Sequence, residues 1–199
     1  FDGEFLAEII LIKKKIITLF VIEKVRDPEI VNDIWIIFAP VKKNATDIII
    51  QKATELGASC IIPILTERTI SRRVNLNRME EIAIEASEQC ERITIPNIAP
   101  LQSLTEIISN WDLNRKIYYG DETIRNSSEN FDDNNQLLTH SSGAILIGPE
   151  GGFSSKEIHF LRSKTFIIPI NFGPRVLRSD TAVMCGLVFW HTINGDMKH

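Results

Sequence analysis

The chain has 199 residues, of which 44% are hydrophobic and 24% charged, with a formal net charge of −4. That length buries one good core, or one core and a small satellite domain, and the composition excludes a mainly disordered chain. No apolar run reaches the roughly 18–20 residues of a membrane-spanning helix, so no membrane partner is expected.

In chain order, the first elements read as strands. Phe5 to Leu11 and Ile16 to Ile22 are β-rich runs divided by Lys13-Lys14-Lys15, the pattern of a hairpin. Two strands cannot make a stable domain alone, so residues 1–26 read as the remainder of a small β-domain. The start, Phe1-Asp2-Gly3-Glu4, is unlike a signal peptide and lacks a Met, which suits a piece of a longer protein. Asp27-Pro28 opens a linker, 27–33.

From residue 34 strands and helices alternate. Ile34 to Ala39 is a continuous apolar run, as in a strand buried on both faces. A helix is predicted from Thr46 to Leu56, closed by Gly57 in a left-handed cap. A strand at Ile61–Leu65 and a long helix at Asn75–Glu91 follow, with Met79, Ile82, Ala83, Ala86 and Cys90 inward. Leu101–Ser109 reads as a short helix and Lys116–Tyr119 as a strand. Residues 121–141, rich in Asn, Asp and Ser, read as a mobile loop. Ala144–Ile147 is a strand, Ser154–Arg162 a helix, Phe166–Ile170 a strand and Ser179–Ile193 the last helix. The alternation defines an α/β domain with a mostly parallel sheet over 34–199.

Charge is unevenly spread. Residues 42–78 hold seven Lys or Arg against three Asp or Glu, a net of +4, whereas 79–141 hold four against twelve, a net of −8. The overall sign argues mildly against nucleic acid, yet Arg68, Arg72 and Arg73 stand together in a loop suited to phosphate. Cys60, Cys90 and Cys185 are expected as buried reduced thiols. No histidine has ligand spacing to a cysteine or to another histidine, so no metal is expected.

Three segments carry the chemistry. In Ile145 to Ser154 an apolar strand enters a turn with Gly148, Gly151 and Gly152, and a Ser-capped helix follows. Such glycines let backbone N–H groups approach a ligand at the carboxyl end of a parallel strand. No Lys-Ser/Thr follows them, so this is not a P-loop, and an ATP or dinucleotide site is disfavoured. Asn171 to Ala182 repeats the design, with Arg175 and Arg178 in one short loop; a cation at a helix start, as Arg178 is, opposes the macrodipole and points to another requirement. Glu85, Gln89 and Arg92 fall at i, i+4 and i+7, one stripe of a helix. A tight connection and solvated faces remain the bland alternatives to these readings.

Taken together, Gln51 to Gly57, Thr66-Glu67-Arg68, Glu85 to Arg92, Gly148 to Gly152 and Leu177 to Ala182 resemble, in order and spacing, the RsmE family. These are ribosomal small-subunit RNA uracil-N3 methyltransferases of the SPOUT superfamily. Asp180 stands where the family has Glu, and Pro174 is a second mild departure. The resemblance implies a trefoil-knotted mostly parallel sheet, a homodimer, a cytoplasmic location and a preceding PUA-like β-barrel, of which residues 1–26 would be the closing strands. It implies S-adenosylmethionine held by Tyr119, Gly120, Ile147, Gly148, Gly152, Phe172 and Leu177. It implies 16S rRNA within the small ribosomal subunit as substrate, with Arg178 stabilising charge on the uracil. Glu55, Arg68, Arg72, Gln89 and Arg92 would contact RNA, from this chain or a partner subunit. The alternatives are a SPOUT methyltransferase acting on another RNA, or a non-catalytic RNA-binding assembly factor.

Overall fold

The computed structural model describes residues 3–124 and 141–198. The strands β1 (Glu4–Lys13) and β2 (Ile16–Arg26) pair antiparallel as one hairpin, longer than the sequence suggested. Its apolar residues lie open on both faces; Ile12 is 70% and Phe20 59% exposed.

The remaining strands are β3 (Asp33–Phe38), β4 (Cys60–Leu65), β5 (Asn97–Ile98), β6 (Gln102–Ser103), β7 (Lys116–Gly120), β8 (Ser142–Ile147) and β9 (Ile167–Ile170). They form a seven-stranded sheet in the order β5-β4-β3-β8-β7-β9, with β6 pairing β4, and every pairing is parallel. The centre, β3 and β8, is made of the continuous Ile/Leu/Phe runs that suit a strand covered on both faces. One face is covered by α1 (Lys43–Glu55), α2 (Leu76–Gln89) and α5 (Ser179–Asn194), which bury Ile49, Ala83 and Trp190 with Ile36 and Tyr118. The other carries α3 (Leu104–Ser109) and α4 (Ser155–Arg162), over Ile37, Tyr119, Leu146 and Phe153.

Differences from the sequence reading are local. Helix α3 starts at Leu104 rather than Leu101, because Gln102–Ser103 pair with β4 and the Ser103 hydroxyl then accepts from Glu106 N–H. Strand β5, two residues long, carries too little pattern to be predicted. Gly57 takes φ +82, as its cap position required. Helix α2 does not reach Arg92: Cys90 is its cap, and Glu91 turns left-handed at φ +59, so the supposed i, i+4, i+7 stripe ends at Gln89. Of the cysteines only Cys60 is buried, and burial pushes its thiol pKa up; Cys90 is exposed and Cys185 half-buried. The polar loop expected at 121–141 lies mostly outside the described residues, although Glu122–Ile124 form a 3-10 turn.

Candidate functional site

Because all seven strands run the same way, their carboxyl ends collect at one edge of the sheet. Three connections there, after β7, β8 and β9, surround a cavity of about 770 Å³ including its open mouth. Its lining includes Gly120, Glu122, Ile147, Gly148, Gly152, Phe172, Arg175 and Leu177. Glycine is required where the walls meet. A Cβ at Gly120 would come 2.8 Å from Phe172 Cε2, one at Gly148 3.0 Å from Phe153 Cε2, and one at Gly152 2.7 Å from Glu122 Oε1. Gly152 also has φ +66, and its N–H closes the turn on Pro149 carbonyl at 2.8 Å. The turn then hands over to α4 through a capping box, with Ser154 and Glu157 each bonding the other's backbone N–H. From the opposite wall, the Ser179 hydroxyl donates to Gly148 carbonyl at 3.1 Å, which fixes the start of α5 against the same turn.

A polar network around the buried Asp121 supports the β7 connection. Asp121 accepts from the Tyr119 hydroxyl, from Thr123 N–H and hydroxyl, and from Arg162 Nη2. Burial alone would raise its carboxyl pKa, but the bonds from Thr123, Tyr119 and Arg162 outweigh it and hold it below the usual range. Burial and the adjoining carboxylate push the Tyr119 hydroxyl pKa well up, so it stays a donor. Tyr119 therefore braces the site from below, its ring edge-on to Phe153, while the other six residues expected around a cofactor line the cavity itself. Phe153, Ile170 and Ala182 also line it, unanticipated because single apolar residues carry no motif signal.

The arginines divide sharply. Arg175 lines the cavity, and Arg178 is the exposed N-cap of α5. Arg68, Arg72 and Arg73 follow the carboxyl end of β4, at the same edge; Arg68 donates to Gly151 carbonyl at 2.7 Å. Arg72, Arg73, Arg175 and Arg178 make no hydrogen bond or ion pair among the described residues. Glu55, Gln89 and Arg92 lie elsewhere. Helices α1 and α2 run back across the sheet, so their last turns stand at the amino edge, away from the cavity of the same chain. There Arg92 donates from Nη1 to Thr54 carbonyl and from Nη2 to Ala58 carbonyl, both at 2.8 Å, and from Nε to the Thr94 hydroxyl at 2.9 Å. It caps the end of α1, with three donors committed to this chain. Glu55 pairs with Lys52 at 2.8 Å.

Fold and site together define a class: a model of the RNA methyltransferase domain family matches residues 28–190. Within that class, ribosomal RNA small subunit methyltransferase E of Rickettsia conorii is 31% identical over 186 residues, 94% of this chain and 75% of the relative. The namesake from Buchnera aphidicola (the strain of Acyrthosiphon pisum) is 31% identical over 204 residues, 98% and 77% of the two chains. A crystal structure of ribosomal RNA small subunit methyltransferase E from Neisseria gonorrhoeae, bound to S-adenosyl methionine, superposes with a TM-score of 0.79 at 25% identity, covering 94% of this chain and 78% of that one. The chain belongs to the ribosomal RNA small subunit methyltransferase E family.

Proposed function

We propose that this protein methylates N3 of a uridine in 16S rRNA of the small ribosomal subunit, taking the methyl group from S-adenosylmethionine. The observation that carries the reading is the glycine-walled cavity at the carboxyl ends of β7, β8 and β9, with the unpaired Arg175 in its lining. The cavity fits the cofactor: Ile147, Phe172 and Leu177 offer apolar walls for an adenine, and Gly120, Gly148 and Gly152 bring backbone into the lining. When bound, S-adenosylmethionine supplies an electrophilic methyl group on a sulfonium.

The chain's own residues do the rest. Arg72 and Arg73 hold phosphates and fix the register of the strand. Arg178 faces the uracil and stabilises the negative charge that develops as N3 loses its proton. Holding N3 in line with the methyl group supplies much of the acceleration. Glu55 and Gln89 reach RNA only from a partner subunit under this reading, while Arg92 holds the end of α1 with its donors on Thr54, Ala58 and Thr94. A homodimer is supported by the apolar outer side of α5, where Met184, Cys185 and Val188 remain uncovered or half-covered while Val183, Leu187 and Trp190 face inward. The two-sided apolar exposure of the β1–β2 hairpin supports its place in a PUA-like β-domain, with 27–33 as linker, and the crowding of three loops at one cavity suits a trefoil knot. A ribosomal substrate places the protein in the cytoplasm.

Calorimetric titration with S-adenosylmethionine and with ATP, followed by radiolabelled methyl transfer to 30S subunits, tests the reading. Binding of the first ligand alone and label at uridine N3 are expected. A folded chain that ignores S-adenosylmethionine overturns it.

A further inference from the structure

Two bonds join the arginine loop after β4 to the glycine turn after β8. Arg68 lays its stem over Gly151, where a Cβ would sit 3.6 Å from Arg68 Cβ and Cδ, and its Nη1 donates to the Gly151 carbonyl. One residue earlier, Glu67 N–H donates to Glu157 Oε1 at 2.8 Å. The second oxygen of that carboxylate accepts from Ser154 N–H at 2.8 Å, so Glu157 both closes the cap of α4 and staples the neighbouring loop. Behind, the Thr69 hydroxyl accepts from Thr66 N–H at 2.9 Å and the Ser71 hydroxyl donates to Val41 carbonyl at 2.8 Å. The loop is thus tied down where it meets the turn, while Ile70, 81% exposed, and Arg72 and Arg73 face solvent.

We infer that Arg68 is a positioning residue for the cofactor turn, and that it couples RNA held by this loop to cofactor binding. The inference rests on the reading of the cavity as an S-adenosylmethionine site. A turn with three glycines gains little shape from its own side chains, and each glycine loses much freedom when ordered. A bond from outside to Gly151 carbonyl fixes the peptide plane between Gly151 and Gly152, the last backbone unit before the cavity wall. A nucleic-acid strand on Arg72 and Arg73 stiffens the loop that carries Arg68, so the cofactor then meets a turn already ordered. Linkage makes the effect reciprocal, and bound cofactor tightens RNA by the same factor. Arg68 therefore acts on the cofactor side rather than as one more phosphate contact.

The test is calorimetric titration of the full chain with S-adenosylmethionine, first alone and then with a saturating RNA hairpin that carries an unpaired uridine. Arg68→Ala should weaken cofactor binding without RNA by about tenfold, the size of one lost charge-assisted hydrogen bond. Arg68→Lys should recover part of it, since an ammonium can still donate to Gly151 carbonyl. Arg72→Ala should lose the gain that RNA confers on cofactor binding. Cofactor affinity of Arg68→Ala within twofold of the parent, in the absence of RNA, overturns the positioning role. Equal affinity of the parent with and without RNA overturns the coupling. A parent chain that binds no S-adenosylmethionine removes the cofactor reading itself, a result distinct from a deficit confined to Arg68→Ala.

Discussion

The two edges of the parallel sheet use arginine in opposite ways. At the amino edge the guanidinium groups are spent on the chain's own backbone: Arg92 on Thr54 and Ala58, and Arg115 on the carbonyls of Asp33 and Gly143 at the starts of β3 and β8. Arg115 also stacks on Trp35, 3.9 Å from the ring centroid, and pairs with Asp33. At the carboxyl edge Arg72, Arg73, Arg175 and Arg178 leave their donors unspent among the described residues, and Arg175 lines the cavity. Burial explains the contrast. A buried or half-buried guanidinium must satisfy its donors inside the protein, whereas an exposed one is free to leave them unspent, as these four do, or to commit them, as Arg68 does to Gly151 carbonyl. One edge is scaffold, and the other is equipped for an anion.

The sharpest break in that contrast would come from Arg178. Arg178→Ala should lower the rate of methyl transfer by about 10²–10³-fold, the usual cost of losing one group that stabilises transition-state charge, and leave cofactor affinity unchanged. A single-turnover assay beside calorimetry decides it, and undiminished turnover would sink the role. Next in size, Arg92→Ala should destabilise the fold by about 2–3 kcal/mol in urea unfolding, because two carbonyls and the Thr94 hydroxyl lose a charged partner. Unchanged stability with lost RNA binding would instead move Arg92 into the functional edge. Gly152→Ala should cost about 1–2 kcal/mol, through a strained positive φ and a methyl crowding Glu122, and should weaken cofactor binding as well.

The smallest effect belongs to His191, 1% exposed behind α1 at the amino edge. Burial lowers its pKa below the ordinary 6.5; Asp196 opposes this and Arg92 adds to it. The unfolded chain therefore takes up a proton that the folded chain refuses. Stability should be complete above about pH 6.5 and decline as pH falls from there toward the folded value. His191→Gln should remove that portion of the slope in urea midpoints measured across pH 5–8. An identical slope in the variant would place the titration elsewhere.

Much of this was legible in the sequence, for physical reasons that differ from residue to residue. Ile34 to Ala39 announced a central parallel strand because both faces are covered, leaving no polar alternation. Gly57 announced its left-handed cap, and Gly148 to Ser154 announced a strand-to-turn-to-helix junction, because backbone conformation and capping are local. Arg92 misled because helical spacing alone placed it on the stripe of Glu85 and Gln89, whereas Glu91 leaves the helix and turns it onto α1. The partners of the Tyr119 hydroxyl, Asp121 and Arg162, were not legible, because position in a strand does not say which neighbour meets it.

The sequence by itself determined the alternation of strands and helices, the glycine turns and the family, since each is written in short-range pattern or in motifs kept in order. Only the tertiary structure decided which edge each arginine serves. That depends on the path of α1 and α2 back across the sheet, and on which carbonyls Arg92 and Arg115 meet at one edge and Arg68 at the other, contacts between residues up to 83 positions apart. Burial and partner choice are properties of the packed chain, and no local pattern encodes them.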